Sequence, residues 1–218
     1  MMYETGFVGG ERFNRSLGKV ACVGRNYAAH AKELNNPIPS EPIIFIKPES
    51  CVVYLGHPFR IPADDCHFEA EIAILIGSKL AGASEREAGR AVVGLGLALD
   101  LTKRDLQATL KENGHPWERA KCFDGACPLS EFVPRSKFTS LTDIKFSLHI
   151  NDELRQEGTS ADMLNPIVSL ISHISHQFTL KPGDVVLTGT PQGVGRLFPG
   201  DRLRLTLGNE LTIETNTF

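Results

Sequence analysis

The stretch Phe68-Glu69-Ala70-Glu71-Ile72-Ala73-Ile74, running on through Leu75-Ile76-Gly77, carries the first decision about this chain. Its later half is an apolar run closed by a glycine, which reads as a buried β-strand. Side chains two apart on a strand point to the same face. Glu69 and Glu71 therefore stand side by side at the edge of a core. Two like charges so placed either hold a proton between them or need a cation. Oxygen-only ligands suit a hard divalent ion such as Mg²⁺. The other reading is a strand end with two solvated glutamates. His67 shares the face of Glu69 and is open to three readings: a metal ligand, a partner to a ligand, or a half-exposed histidine.

Working outward, the chain has 218 residues, 41% hydrophobic and 22% charged, enough to bury a sizeable core in one large domain or two small ones. A net charge of −3 with no clustered basic run argues against nucleic-acid or membrane-surface partners. No apolar stretch is long enough to span a bilayer. Residues Met1 to Arg15 show no apolar secretory core, so a cytoplasmic protein is expected. Five cysteines at irregular spacing, without a C-x-x-C, read as small buried thiols rather than a disulfide framework or a zinc knuckle.

Strands are expected at Val20–Gly24, Leu95–Leu101, Ile144–Asn151 and Val185–Thr188, and around Ile43–Ile46 between prolines. Arg202–Leu207 and Glu210–Thr215 alternate and are joined by Gly208-Asn209, a hairpin signal. Helices are expected at Asn26–Leu34, from a Ser84/Glu87 capping box through Val93, from Thr102 to Asn113, and from Pro166 through Gln177. Strands outnumber scattered helices, which points to a mixed α/β, β-rich fold.

Four further segments carry chemistry. His30 and Glu33, at i and i+3, share a helix face and form either a carboxylate-oriented base or a solvated pair. Asp100 ends an apolar run and is either a third metal ligand or a helix N-cap. Arg104, Gln107 and Lys121 are groups that hold a substrate carboxylate when they stand beside a metal, and are surface residues otherwise. The loop Thr188-Gly189-Thr190-Pro191-Gln192-Gly193 offers backbone N–H groups and hydroxyls to an anion, or is an ordinary turn.

The order and spacing of these segments resemble the fumarylacetoacetate hydrolase family in its short form. The stretches that carry the resemblance are Gly24 to Glu33 (GRNYAAHAKE), Phe45 to Pro48 (FIKP), His67 to Gly77 (HFEAEIAILIG), Ala98 to Gln107 (ALDLTKRDLQ), Pro116 to Ser130 (PWERAKCFDGACPLS) and Gly183 to Gly195 (GDVVLTGTPQGVG). The resemblance implies a β-roll, or mixed β-sandwich, with a few peripheral helices and a short lid helix. It also implies a single catalytic domain over residues 1–218, a homodimer, and Mg²⁺ or Mn²⁺ in the site. Glu69, Glu71 and Asp100 match the metal ligands. His30 and Glu33 match a dyad on the lid, and Lys121 a lysine beside the metal. Arg104, Gln107 and Thr190 match groups that hold the carboxylate end of a small 2-oxo acid. The expected activity is Mg²⁺-dependent hydrolysis of acylpyruvates of the acetylpyruvate or fumarylpyruvate type, cleaving C3–C4 through a pyruvate enolate. The alternatives are an oxaloacetate decarboxylase or an oxaloacetate enol–keto tautomerase. Further back stand an isomerase or hydratase of aromatic catabolism and a non-catalytic metal- or 2-oxo-acid-binding module.

Overall fold

The computed structural model describes residues 3–62 and 65–218. Its elements begin with β1 (Val20–Gly24), α1 (Ala28–Glu33), β2 (Ile43–Lys47), β3 (Val52–Tyr54), β4 (Cys66–Phe68) and β5 (Ala70–Ile76). Next come α2 (Glu85–Ala91), β6 (Val92–Leu99), β7 (Thr102–Lys103), α3 (Arg104–Glu112), α4 (Glu118–Lys121), β8 (Cys127–Leu129) and β9 (Val133–Pro134). The chain continues through β10 (Lys145–Ile150), β11 (Glu153–Thr159), α5 (Ile167–Gln177), β12 (Val185–Leu187), β13 (Gly195–Arg196), β14 (Arg202–Leu207) and β15 (Leu211–Asn216).

The fold is mixed α/β and strand-rich, as expected. A curled eight-stranded sheet runs in the order β2-β1-β12-β5-β6-β8-β3, with β9 also paired to β6. A four-stranded antiparallel sheet, β11-β10-β14-β15, lies apart from it in hydrogen bonding, and β13-β4-β7 form a third, small sheet.

β5 is buried along its whole length, which explains its unbroken apolar sequence. Ile72, Ile74 and Ile76 join one core cluster, shared with Phe146, Leu205 and Ile171. Ala73 and Leu75 join a second, with Val20, Val185 and Phe132. Each buried Ile or Leu contributes roughly 1.5–3 kcal/mol. β14 alternates as read, with Leu203, Leu205 and Leu207 inward and Arg202 and Arg204 outward.

Local signals held where the backbone was free to obey them. The Ser84/Glu87 capping box opens α2, and Pro166 caps α5. Several boundaries shift by one to three residues, and three of the differences have a clear cause. α2 stops at Ala91 because Val92 is already in the sheet. The hairpin turn takes Gly208, Asn209 and Glu210, since Leu207 pairs with Leu211. Thr102 does not cap α3: it pairs with His67 in β7, and its hydroxyl donates to the Asp100 carbonyl at 3.1 Å.

Candidate metal centre and active site

Sheet register assembles the acidic residues. β5 pairs antiparallel with β6, setting Ala70 opposite Leu99 and Glu71 opposite Ala98. One step further, Asp100 N donates to the Glu69 carbonyl at 2.8 Å. A carboxylate at the end of β6 thus arrives beside two at the start of β5. Glu69, Glu71 and Asp100 are all buried, and one carboxylate oxygen from each lies within 4.8 Å of the others. With Asp100 committed here and α3 starting at Arg104, Asp100 is not a helix N-cap.

Cations crowd the same point. Lys121 Nζ stands 2.9 Å from Glu69 Oε2 and 2.6 Å from Asp100 Oδ2. Lys47 Nζ is 2.8 Å from Asp100 Oδ1 and also donates to the Lys121 and Ala126 carbonyls. Arg104 pairs with Glu69 Oε1. Burial alone raises the Glu69 carboxyl, but Lys121 and Arg104 outweigh it and hold it well below the usual range. Burial also opposes charge on Lys121, yet Asp100 and Glu69 keep it protonated, its pKa raised. Glu71 fares differently. Burial, then Asp100 and Glu69, push its carboxyl well up, although the Gly189 N–H donates to its Oε2 at 2.6 Å.

These residues fit a hard divalent ion. Three buried carboxylates converge, and one of them, Glu71, is driven toward holding a proton that a cation would displace. Asp100 Oδ1 is buried and accepts no hydrogen bond among the described residues, although the Lys47 ammonium is close.

The triad forms the floor of a narrow cavity of about 50 Å³. His30, Arg104, Gln107, Lys121 and Thr190 line it, so these sequence-derived candidates meet in one place. His30 Nδ1 is 3.3 Å from Glu33 Oε2, and Glu33 Oε1 accepts from the Gly193 N–H at 3.0 Å. Both oxygens of Glu33 are therefore engaged. Arg104 Nη1 donates to Gln107 Oε1 at 2.8 Å, one helical turn along α3. The Thr190 hydroxyl donates to the Ala70 carbonyl and accepts from Gln156 Nε2, each at 2.8 Å. His67 sits outside this cavity lining, 3.2 Å from Asp65, as a partly exposed histidine.

Sequence reasoning missed Lys47, Asn26 and Gln156. Lys47 had a signal: one lysine closing the apolar run Ile43–Ile46 has no aqueous side to reach, so it must find an anion. Asn26 gave none. It is fully buried, with Nδ2 donating to the Asn165 and Thr188 carbonyls and Oδ1 accepting from Asn165 N at 2.8 Å. It pins the root of α1 to the loop after β12. Gln156 lies on an otherwise exposed stretch of β11 and braces Ala70 and Thr190.

Residues 19–217 match the family model described as fumarylacetoacetate (FAA) hydrolase C-terminal. The chain is 49% identical over 215 residues to the oxaloacetate tautomerase YcgM of Escherichia coli K12, covering 97% of this chain and 98% of that protein. It is 40% identical over 197 residues to the mitochondrial oxaloacetate tautomerase FAHD1 of Bos taurus, covering 89% of each. Among solved structures, fumarylpyruvate hydrolase from Pseudomonas aeruginosa, in complex with Mn²⁺ and pyruvate, superposes with a TM-score of 0.90 at 31% identity, covering 99% of this chain and 95% of that one.

Proposed function

This chain belongs to the fumarylacetoacetate hydrolase family of enzymes, and from that premise we propose that it interconverts the enol and keto forms of oxaloacetate. The observation that carries the reading is the pairing of a proton-accepting group, His30, with a cation, Lys121, on one narrow cavity above a buried carboxylate triad. The names of the relatives support it and shift the balance from acylpyruvate hydrolysis to what the sequence alone ranked as an alternative.

In this reading Glu69, Glu71 and Asp100 hold Mg²⁺ or Mn²⁺. The ion would supply Lewis acidity that draws electrons from a 2-oxo acid and lowers the cost of negative charge at C3. The chain's own residues move the proton. Glu33 orients His30 through Nδ1, which leaves Nε2 as the nitrogen that takes or returns a proton. His30 takes the C3 proton of the keto form and delivers it to the 2-oxo oxygen, which completes the enol. The reverse sequence regenerates the ketone. Lys121, held as an ammonium, stabilises charge developing on the substrate oxygens. Arg104 and Gln107 hold its carboxylate end. The enzyme works as a single catalytic domain in a homodimer, in the cytoplasm.

A second reading is favoured by the likeness to fumarylpyruvate hydrolase. There His30 and Glu33 would activate water against the C4 carbonyl of an acylpyruvate. The deciding experiment is a rate panel with Mg²⁺ or Mn²⁺. It would follow ketonisation of enol-oxaloacetate, pyruvate release from oxaloacetate, and hydrolysis of fumarylpyruvate and acetylpyruvate. Ketonisation should show the highest kcat/KM. Faster hydrolysis would install the second reading, faster pyruvate release a decarboxylase, and no turnover of any substrate would remove all three.

A further inference from the structure

We propose that Arg25 and Lys111 form a second anion subsite at the mouth of the cavity, one that binds the distal carboxylate of a dicarboxylic 2-oxo acid. The inference rests on the reading above and adds the residues that bind the substrate's second carboxylate.

Arg104, Gln107 and Lys111 are spaced i, i+3 and i+7 on α3, so one helix face points all three toward the cavity they line. At a rise of about 1.5 Å per residue, Lys111 lies roughly 10 Å along the axis from Arg104. Arg104 is at the floor, paired with Glu69 and donating to Gln107. Lys111 is at the other end, exposed, with Nζ 3.1 Å from Asn36 Oδ1. Arg25 reaches the same segment, with Nη1 3.4 Å from the Pro37 carbonyl. Both cations therefore rest on neutral oxygens of the stretch that follows α1.

Charge divides the cavity in two. Every cation on the floor is matched by a carboxylate: Lys121 by Glu69 and Asp100, Lys47 by Asp100, Arg104 by Glu69. Among the described residues neither Arg25 nor Lys111 has an acidic partner. Lys111 is made less basic by desolvation and then by the nearby charges of Arg25 and Arg104, a crowding that an anion relieves. The backbone of Arg25 is also held at φ 59, a left-handed conformation that a large side chain adopts at a cost of about 1 kcal/mol. The buried Asn26 network next to it fixes that backbone geometry and so the direction in which the arginine side chain leaves the chain.

A substrate that leads with its 2-oxo acid end toward the triad leaves its other end at the mouth. Oxaloacetate and fumarylpyruvate end there in a carboxylate, whereas acetylpyruvate ends in a methyl group. Two charge-assisted contacts favour the first two.

The test compares wild type with Lys111→Gln, Arg25→Gln and the charge-reversing Lys111→Glu. The ratio of kcat/KM for diacid over monoacid substrates should fall about 10-fold for each neutral change, about what one charge-assisted hydrogen bond contributes. It should fall further for Lys111→Glu. A parallel readout is thermal stabilisation of the Mn²⁺-loaded protein by 2-oxoglutarate, a diacid, against pyruvate, a monoacid. Wild type should favour the diacid and the variants should lose that preference. An unchanged ratio and an unchanged stabilisation preference would overturn the subsite. If wild type turns over none of these substrates, the functional reading fails, and the stabilisation preference alone still decides for or against the subsite.

Discussion

Glu71 shows how one buried side chain can be bistable. Its carboxyl is pressed by burial and then by Asp100 and Glu69 toward the neutral form, against the pull of Lys121 and the Gly189 N–H. Gln is nearly isosteric with that neutral form. Glu71→Gln should therefore leave the metal-free protein within about 1 kcal/mol of wild type, the range of a change that opens no cavity and strands no charge. The same variant should lose most of the stabilisation that Mg²⁺ or Mn²⁺ confers. Thermal melts with EDTA and with excess Mn²⁺ separate the two effects. A large loss of stability in EDTA would mean that Glu71 is ionised and paired in the apoprotein. Lys47 is the complementary case. Fully buried, it remains strongly protonated because Asp100 outweighs its desolvation.

At the scale of elements, α1 is held at both ends by different means. Its root is fixed by the fully buried Asn26 and the buried Tyr27. Its far end is latched by Glu33 on the Gly193 N–H. Gly193 has φ +96, and a Cβ there would stand 2.0 Å from the Arg155 carbonyl oxygen. Gly193→Ala must therefore shift the loop, at a cost of about 1–3 kcal/mol. It should speed amide exchange in residues 28–34 and lower kcat, because His30 loses its oriented partner. Adding Mg²⁺ with oxalate to wild type should slow exchange over residues 28–39. Hydrogen exchange followed by mass spectrometry reads both effects. If exchange in α1 ignores the Gly193 change, the latch is not what holds the helix.

For the molecule as a whole, the triad and its lysines join segments far apart in sequence: the β4–β5 junction, the end of β6, β2 and α4. An ion bound there ties these elements together and stabilises the native state by linkage, about 2.7 kcal/mol at a hundredfold excess over Kd. In a chain of this length that corresponds to roughly 5–10 °C in Tm. EDTA should lower Tm by that order and abolish turnover, with both restored by Mg²⁺ or Mn²⁺. A melting curve indifferent to chelator and ion would remove the metal centre from the proposal. Among the described residues no helix is long and apolar enough to cross a membrane.

The local parts are legible along the chain. Periodicity placed β5, β6, β12 and the hairpin β14–β15; capping chemistry placed the starts of α2 and α5; and the pair Glu69, Glu71 declared itself through i, i+2 spacing next to an apolar run. These features depend on residues that are neighbours along the chain, and their physics is complete within one strand or turn. Only the tertiary structure decided what they meet. Whether Asp100 capped a helix or joined the acids turned on its backbone bond to Glu69, a register between two strands. Whether Lys47 and Lys121 neutralised them turned on where β2 and α4 packed. That Arg25 and Lys111 line one cavity follows from folding α3 beside the stretch after α1, where Lys111 meets Asn36. Charge interactions act through space with strengths set by burial and distance, and neither quantity is written in the order of residues.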